Sequence, residues 1–556
     1  MIKKVTLFML LVSTIVTSFV SFYAPPGLAR AEEPAEFREA DTADAVSFHP
    51  YLTTDTASSS YQGMVYAGGL LRRDPETLKL IPDLATEVPT VENGGISEDF
   101  TTYTFHLRKD VFWSDGEPLT AYDFEFTWDN MMKPENEFPY RGIFEFIESY
   151  KALDEYTIQV KVKPEQRLCA AIEGVDAVSP ALPKHIWEKL DWKDPEKNPE
   201  IMHPSISSGP FKLVEWVKDD HVIFEANDTY YRGRPKLDRY TIVIVPEQEV
   251  AYAMLKSGEV DTAPVTPENY EDAKADPNLK VYEWWLAAGV WSYIGFNMRR
   301  PHLQDVRVRQ ALSYALDKEQ IIDKVMNNLA RRIYSVFMPG TPDYTEDLPH
   351  YDYDPEKARE ILAEAGYTPG PNGILEKDGK PLKLKLLFGP NTSKVREQIS
   401  VITQAQFKEI GVEVEIRGLE WGAYLEATQK EPWDWDLCVS GWRATLEPHW
   451  MYPIWRSEGF PDLNFVAYSN KKVDELFDKA SVPETTDNCS RDVRAEIYKE
   501  ISRLLAEDAP YIFLFQNLSY TGINRRIGGI KPTPIGIGYN LEEWYVKSEE
   551  ELKSEQ

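Results

Sequence analysis

TFHLRKDVFWSDGEPLTAYDFEFTW, Thr104 to Trp128, is the most informative stretch of the 556-residue sequence. Around its start, from residue 103 to 108, apolar and polar side chains alternate, which is typical of a half-buried strand. The Asp-Gly dipeptide after it marks a turn. Thr120 followed by Asp123 then resembles a capping box at the start of an amphipathic helix. The stretch therefore predicts a strand, a turn and a helix in that order.

Strand patterns and helix patterns also alternate along the second half of the chain. Strand patterns cover Ile294–Met298, Leu382–Leu387, Val412–Ile416 and Tyr511–Phe515. A helical pattern from about 393 to 410 joins two of these strands. An order of strand, helix and strand indicates an α/β lobe, which we expect over about residues 290 to 505.

Length and composition restrict the class of protein. A single hydrophobic core stops growing at roughly 250–300 residues, so a chain of this length should form at least two lobes. Charged residues make up 27% and hydrophobic residues 42% of the chain, as in an ordinary globular protein. The formal charge of −30, without a strong basic patch, argues against a nucleic-acid partner.

The amino terminus has the pattern of a secretory signal peptide. Lys3 and Lys4 precede an apolar stretch from Val5 to Ala24, and a small-x-small motif ends at Ala31. We expect residues 1–31 to be cleaved and the protein to be exported to the periplasm. An uncleaved anchor is the alternative, although the stretch contains several Ser and Thr residues and is barely long enough to span a bilayer. The cysteine that would accept a lipid anchor is missing there.

The three cysteines, Cys169, Cys438 and Cys489, are an odd number without CxxC spacing. This pattern argues against a disulfide scaffold and against a zinc cluster. At most one bridge can form within the chain. The sequence leaves open whether there is one, for example between Cys438 and Cys489.

Motifs for chemistry are missing from the sequence. The eight histidines form no HExxH pattern, and GxSxG, P-loop and GxGxxG motifs do not occur. We therefore predict no catalytic residue, no metal ligand and no cofactor. Asp434 and Asp436 resemble a glycosidase pair, but among 91 acidic residues such spacings arise by chance. A secreted hydrolase, or a periplasmic scaffold without a small ligand, is the alternative from another class.

Aromatic rings are dense between residues 421 and 455, where Trp421, Trp442 and several other rings lie beside polar groups. Rings of this kind usually belong to a core. Their density here also suits a cleft in which rings stack on a ligand and a few polar groups orient it.

Six segments, in order and spacing, resemble the family 5 extracellular solute-binding proteins, the oligopeptide, dipeptide and nickel receptors of ATP-driven importers. The first is the stretch from Thr104 to Trp128. The others are SGPFKLVEW at 208–216, NDTYYRGRPKLD at 227–238, LKSGEVD at 255–261, IGFNM with DVRVRQALSYALDKEQI within 294–321, and YDPEKAREILAEAGY at 353–367. The resemblance covers nearly the whole chain after the signal peptide.

The resemblance implies an α/β protein with the two-lobe periplasmic-binding-protein fold of cluster C type, in which the lobes close over a ligand about a hinge. The first lobe carries an inserted subdomain. Mapped onto this sequence, the first lobe comprises residues 32–62, 203–288 and 508–556. The inserted subdomain covers 63–202, and the second α/β lobe covers 289–507.

The resemblance also implies ligand positions. Gly441 and Trp442 match a Gly-Trp dipeptide that the family places at its ligand, and Trp421 matches a tryptophan upstream of it. Tyr140 matches a tyrosine of the inserted subdomain, with a surface ring as the alternative. Thr54 and Thr56 belong to an early loop that lines the cleft.

One position departs from the family pattern. Where the peptide receptors have an aspartate that pairs with the ligand's ammonium, this chain has Thr445, and a buried ammonium without a carboxylate is costly. Glu447 is the predicted substitute, and a rim carboxylate facing water is its alternative. If Glu447 does not compensate, the ligand is a blocked peptide, an oligosaccharide or another polar solute.

The function that the resemblance implies is that of a monomeric periplasmic receptor. It would capture a small-molecule ligand, a peptide first and an oligosaccharide second, and deliver it to an ABC permease in the membrane. Nickel chelates are a further family ligand without a local sign in this sequence.

Overall fold

The computed structural model describes residues 34–176, 178–389 and 394–554. The predicted signal peptide, residues 1–31, lies outside these ranges. Within them no helix is both long and apolar enough to cross a membrane.

The first sheet has seven strands and is built around Glu36–Asp41, which pairs in parallel with both of its neighbours. The other pairings in this sheet are antiparallel. In spatial order its strands are Leu279–Trp284, Ser519–Asn524, Thr262–Ala263, Glu36–Asp41, Arg239–Ile244, His221–Ala226 and Phe211–Val217. Strands from both ends of the described chain therefore meet in one sheet.

Between the strands Glu36–Asp41 and Phe211–Val217 the chain leaves the first sheet and builds a separate one. This antiparallel sheet consists of Thr102–His106, Thr157–Val162 and Ile147–Asp154. The helix that follows its first strand is Ala121–Met131, and the Asp123 carboxylate accepts a hydrogen bond of 2.8 Å from the backbone N–H of Thr120. The strand and the capping box expected for this segment are confirmed. We call the segment 63–202, which contains this sheet, the inserted subdomain.

The second large sheet has six strands with helices on both faces. In spatial order these are Ala330–Arg332, Tyr511–Asn517, Val290–Phe296, Leu437–Arg443, Lys383–Phe388 and Glu413–Gly418. Apolar residues of its two faces belong to two separate core clusters, one with Ile294 and Leu384, the other with Tyr293 and Cys438. Burial on both faces explains the nearly continuous apolar sequences of the inner strands Tyr511–Asn517 and Val290–Phe296, whereas Lys383–Phe388 and Glu413–Gly418 keep an alternating pattern.

The helices of eight or more residues are Thr56–Val65, Ala121–Met131, Gln248–Ser257, Val306–Tyr314, Lys318–Met326, Pro355–Glu364, Val395–Glu409, Trp421–Gln429, Lys471–Ser481 and Arg491–Asp508. The predicted helix at 393–410 is thus found at Val395–Glu409. The α/β alternation expected from about residue 290 is confirmed.

The strand Tyr511–Asn517 corrects one predicted boundary. It pairs with Val290–Phe296 and with Ala330–Arg332, so it belongs to the second sheet. The chain therefore returns to the first sheet at Leu518, about ten residues after the predicted boundary at 507/508. The reason is packing: six of the seven residues of this strand are buried, which suits the interior of the second sheet.

Two chain crossings connect the two large sheets. One lies between Trp284 and Val290, and the other is Leu518, between the strands Tyr511–Asn517 and Ser519–Asn524. The Gln516 side chain donates a hydrogen bond of 2.6 Å to the carbonyl of Leu286, so the two crossings lie side by side. The hinge expected between the two lobes would therefore lie at these paired crossings.

Candidate functional site

The predicted Gly-Trp dipeptide lies near the carboxyl end of a strand in the second sheet. Leu437–Arg443 runs parallel to Lys383–Phe388, with Phe388 opposite Val439. The carboxyl ends of parallel strands meet at one edge, which is where α/β sheets bind ligands. Gly441 and Trp442 are therefore at the edge where a ligand is expected.

Gly441 is required by the close approach of the neighbouring strand, because a Cβ at this position would lie 2.8 Å from the carbonyl oxygen of Trp291. Trp442 beside it is half-buried, with its ring centroid 6.0 Å from that of Phe465. Its indole N–H is buried and meets no hydrogen-bond criterion within the described residues, but it lies close enough to the buried Tyr511 hydroxyl to oppose the rise that burial causes in the pKa of that group. A buried donor without a partner is costly unless a ligand or water satisfies it.

Trp421 lies at the start of the helix Trp421–Gln429 and is 42% exposed. Its ring stacks on Tyr424 at 5.3 Å, and the guanidinium of Arg396 lies 4.9 Å from the ring centroid. The Tyr424 hydroxyl donates to the carbonyl of Val439 at 3.2 Å, on the strand that carries Trp442. Trp421 is therefore a part-exposed ring that is connected to this strand through Tyr424.

The early loop and the inserted subdomain contribute the other predicted residues. Thr54 and Thr56 are exposed and flank Asp55, which caps the helix Thr56–Val65. Tyr140 is 48% exposed and meets Phe138 edge-on. Within the described ranges no hydrogen bond or ring contact joins these three residues to Trp442, so their contact with a ligand stays a prediction.

Glu447 is buried in an ion pair. Its Oε2 accepts a hydrogen bond of 3.0 Å from Nη1 of Arg494, its Oε1 accepts a second from Nη2, and the backbone N–H of His449 donates to Oε1 at 2.9 Å. Burial by itself raises the pKa of Glu447, but the Arg494 guanidinium outweighs it and holds the pKa below its usual value. The alternative of a rim carboxylate facing water is wrong, because the residue is 3% exposed.

Thr445 lies in the loop between Trp442 and Glu447. Its hydroxyl donates to the carbonyl oxygen of Glu447 at 2.8 Å, which closes the loop on itself. With Thr445 committed to this loop and Glu447 to Arg494, both groups already have partners within the protein. The role of Glu447 in binding an ammonium therefore stays a prediction, and its contacts with Arg494 and His449 give this carboxylate another task.

A cavity of about 440 Å³ adjoins Glu447, between the inserted subdomain and the second lobe. Apolar residues from Leu78 to Phe100 form much of one wall. Its arginines are all paired: Arg73 with Glu173, Arg491 with Asp343 and Arg494 with Glu447. Sequence reasoning missed this cluster, because its partners lie 47 to 148 residues apart and no local pattern marks them.

Comparisons with known proteins agree with this architecture. The family model for bacterial extracellular solute-binding proteins, family 5 Middle, matches residues 79–461. The chain belongs to family 5 of the extracellular solute-binding proteins. It is 32% identical over 504 residues to the oligopeptide-binding protein AppA of Bacillus subtilis, covering 90% of this chain and 89% of that protein. It is 28% identical over 517 residues to the dipeptide-binding protein of Escherichia coli, covering 88% and 90%.

Solved structures of family 5 relatives extend over the same length. AppA of Bacillus subtilis in complex with a nonapeptide has a TM-score of 0.70 at 30% identity and covers 93% of this chain and 100% of its own. NikZ of Campylobacter jejuni in complex with Ni(L-His) has a TM-score of 0.71 at 27% identity and covers 92% and 100%. The two-lobe fold of the family is therefore the fold of this chain.

The carboxylate pair considered for glycoside chemistry has another role in this family 5 protein. Asp436 is buried and accepts a hydrogen bond of 2.8 Å from Nε of Arg300, while Asp434 pairs with Lys385 at 2.5 Å. Asp436 is thus a buried carboxylate that pairs with an arginine of the same lobe. Across the described ranges no cluster of three or more His, Cys, Asp or Glu residues is placed to hold a metal ion.

The cysteines pair in a way that the sequence left open. Cys169 and Cys489 form a disulfide, and Cys438 is free and buried. The pairing of Cys438 with Cys489 that we considered is therefore wrong. Cys438 lies inside the strand Leu437–Arg443, and burial raises the pKa of its thiol to about 12, so it is inert.

Proposed function

We propose that this family 5 protein captures a peptide and delivers it to the permease of an ABC importer. The observation that carries the proposal is the edge of the second sheet, where Gly441, Trp442 and the part-exposed Trp421 lie together. Relatives that are described as oligopeptide-binding and dipeptide-binding, and a structural neighbour with a bound nonapeptide, support a peptide as the ligand.

The edge supplies two kinds of contact. Aromatic faces give contact area that tolerates different side chains. The Trp442 indole N–H is buried in this structure, and on rotation of the ring it would donate to a ligand carbonyl, which a peptide presents at each residue. Backbone recognition combined with tolerant ring contacts suits peptides of varied sequence.

Closure over the ligand is a population shift about the paired crossings at residues 285–289 and 518. The ligand stabilises the closed form only to the extent that it binds this form better than the open one. We further infer that the receptor is exported, acts as a monomer, and binds without reacting. An oligosaccharide is the second candidate from the sequence and would use the same ring surfaces, but the relatives favour a peptide.

The first test is native mass spectrometry of the purified mature protein, followed by denaturation and identification of what is released. A set of short peptides supports the proposal, and a glycan supports the second candidate. Incubation of a released peptide with the protein, followed by mass analysis, tests for turnover. Cleavage that copurifies with the protein would favour a hydrolase.

The second test is calorimetry of a released peptide with Trp442 variants. Trp442→Ala should weaken binding at least tenfold, because stacking area and a donor are lost together. Trp442→Phe keeps a ring and should weaken binding less. Tyr353→Phe, at a ring that is 41% exposed elsewhere in the second lobe, is the matched control and should bind as the wild type does. Unchanged binding in both Trp442 variants would show that the ligand does not bind at this edge.

A further inference from the structure

The Cys169–Cys489 disulfide joins the inserted subdomain to the second lobe. Cys169 lies one residue before Ala170, the cap of a short helix, Ala171–Gly174, and Cys489 lies one residue before Ser490, the cap of the helix Arg491–Asp508. The two cysteines are 320 residues apart in sequence, and their Cα atoms are 5.1 Å apart. The bond is thus a covalent connection between the lobes in addition to the two chain crossings.

Non-covalent contacts of the same two segments surround the disulfide. The backbone N–H of Cys169 donates to the carbonyl of Ser481 at 2.7 Å, and Arg167 forms an ion pair with Glu484. The Cys169 sulfur lies 3.3 Å from the hydroxyl oxygen of Thr486. We call residues 167–169 and 481–489, with the disulfide between them, the clasp.

The cavity beside the clasp adds no strong electrostatic link between the lobes. Arg73 is paired with Glu173 inside the inserted subdomain, and Arg494 is paired with Glu447 inside the second lobe. The third pair, Arg491 with Asp343, also lies within the second lobe. Because each side balances its own charges, separation of the lobes would leave none of these arginines without a partner. The disulfide is therefore the strongest element that resists separation here.

A hinge rotation about the crossings at 285–289 and 518 moves the lobes apart at points away from the hinge. A disulfide holds its Cα atoms within roughly 4.4–6.8 Å, so Cys169 and Cys489 follow only a small part of such a movement. We propose that the clasp limits the opening of the receptor in its oxidised form and that reduction of the disulfide permits wider opening. This proposal does not depend on the identity of the ligand.

The chemistry is a thiol–disulfide exchange with a dithiol reductant. Two electrons and two protons pass from the dithiol, which becomes a disulfide, to the two sulfurs, which become the thiols of Cys169 and Cys489. Cys169 is 6% exposed, whereas Cys489 is partly exposed and lines the cavity, so a reductant reaches the bond from the side of Cys489. An oxidising compartment keeps the bond intact.

A count of titratable thiols tests whether the Cys169–Cys489 disulfide forms. Full-length mature protein, denatured without reductant, should show one titratable thiol, that of Cys438, and three after reduction. Three thiols before reduction, in protein purified from an oxidising compartment, would overturn the proposal.

Small-angle X-ray scattering then measures opening. The protein is stripped of ligand in guanidinium without reductant, refolded and measured before and after reduction with TCEP. The oxidised form should keep a radius of gyration near the roughly 24 Å of a compact chain of this length, and the reduced form should increase by about 1 Å. Equal radii in the two forms would overturn the proposal, since the clasp would then restrain nothing.

Three variants separate the clasp from reduction in general. Cys169→Ser and Cys489→Ser should show the larger radius without TCEP, whereas Cys438→Ser, at the buried free thiol, should behave as the wild type does. Circular dichroism checks that each variant folds. If the serine variants do not fold, the reduced and re-oxidised wild type decides: the radius should rise and then return.

Discussion

Glu447 and Arg494 determine the charge balance beside the candidate site. Both are nearly inaccessible to solvent, and their side chains form two hydrogen bonds with one another. Removal of one partner from a buried pair leaves the other charge unpaired. This lowers the free energy of unfolding by more than the intact pair contributes to it. At the residue scale, the first role of Glu447 is therefore to neutralise Arg494.

Glu447→Gln should lower the free energy of unfolding by roughly 3 kcal/mol, because the amide keeps the shape but leaves the Arg494 charge uncompensated. Urea unfolding at pH 7 measures it. Glu458→Gln is the control, since this exposed glutamate pairs with Arg456 and should change stability by less than about 0.5 kcal/mol. Wild-type stability of Glu447→Gln, with selective loss of ligands that carry an ammonium, would restore the predicted ligand role.

His449, two residues after Glu447, should make the stability of the fold depend on pH. It is buried, with Nδ1 2.9 Å from the Ser481 hydroxyl oxygen, and burial lowers its pKa to about 4. An unfolded histidine has a pKa near 6.5, so between about pH 6.5 and 4 the unfolded state binds a proton that the folded state does not. The contribution of His449 to the free energy of unfolding should therefore fall as the pH falls through this window, by at most about 1.4 kcal/mol per pH unit.

The check is urea unfolding of wild type and His449→Asn at pH 7, 6 and 5. The variant should lose less stability than the wild type as the pH falls. His106→Asn, at an exposed position, is the control and should keep the wild-type slope. The same slope in His449→Asn as in the wild type would contradict the assignment.

At the scale of elements, the helix Thr56–Val65 connects the early loop to the first lobe. Asp55 begins it, with a carboxylate oxygen that accepts from the backbone N–H of Ser58 at 2.8 Å. Thr54 and Thr56, on either side, are exposed and make no such contribution to the cap. The cap is therefore assigned to Asp55, and ligand contact by Thr54 and Thr56 stays a prediction.

Asp55→Ala should destabilise the protein by about 1 kcal/mol through loss of the cap, and Asp55→Asn by less, because the amide oxygen still accepts. Thermal and urea unfolding measure both. Thr54→Ala and Thr56→Ala should leave stability unchanged and weaken binding of a released peptide in calorimetry. If neither changes affinity, the early loop does not line the cleft.

At the scale of the whole molecule, the disulfide closes a loop of 320 residues. Long loops lose much chain entropy when they are closed in the unfolded state, and loss of a native disulfide costs typically 2–5 kcal/mol. The bond thus links stability and opening: it holds the lobes together and restricts the unfolded chain.

Reduction should shift the denaturant midpoint of the wild type to lower urea, in line with a loss of roughly 2–5 kcal/mol. Cys169→Ser should show the same midpoint with and without TCEP. Cys438→Ser should respond to TCEP as the wild type does, which excludes an effect through the free thiol. An unchanged midpoint on reduction of the wild type would mean that the disulfide does not stabilise this fold.

The sequence alone determined the features that depend on neighbours within a few residues. The alternation before Arg108, the capping box at Thr120 and the helix Val395–Glu409 each follow from side chains that meet within one strand or one helical turn. The Gly-Trp dipeptide could be located from its family motif for the same reason, because the motif is contiguous.

Tertiary structure alone decided the partners that are distant in sequence. Arg494 lies 47 residues from Glu447, Cys489 lies 320 from Cys169, and the strand Tyr511–Asn517 joins the second sheet through pairing with Val290–Phe296. A buried carboxylate looks the same in sequence whether its partner is a ligand's ammonium or the protein's own arginine. Only the packing of separate elements brings one of these partners within hydrogen-bond distance.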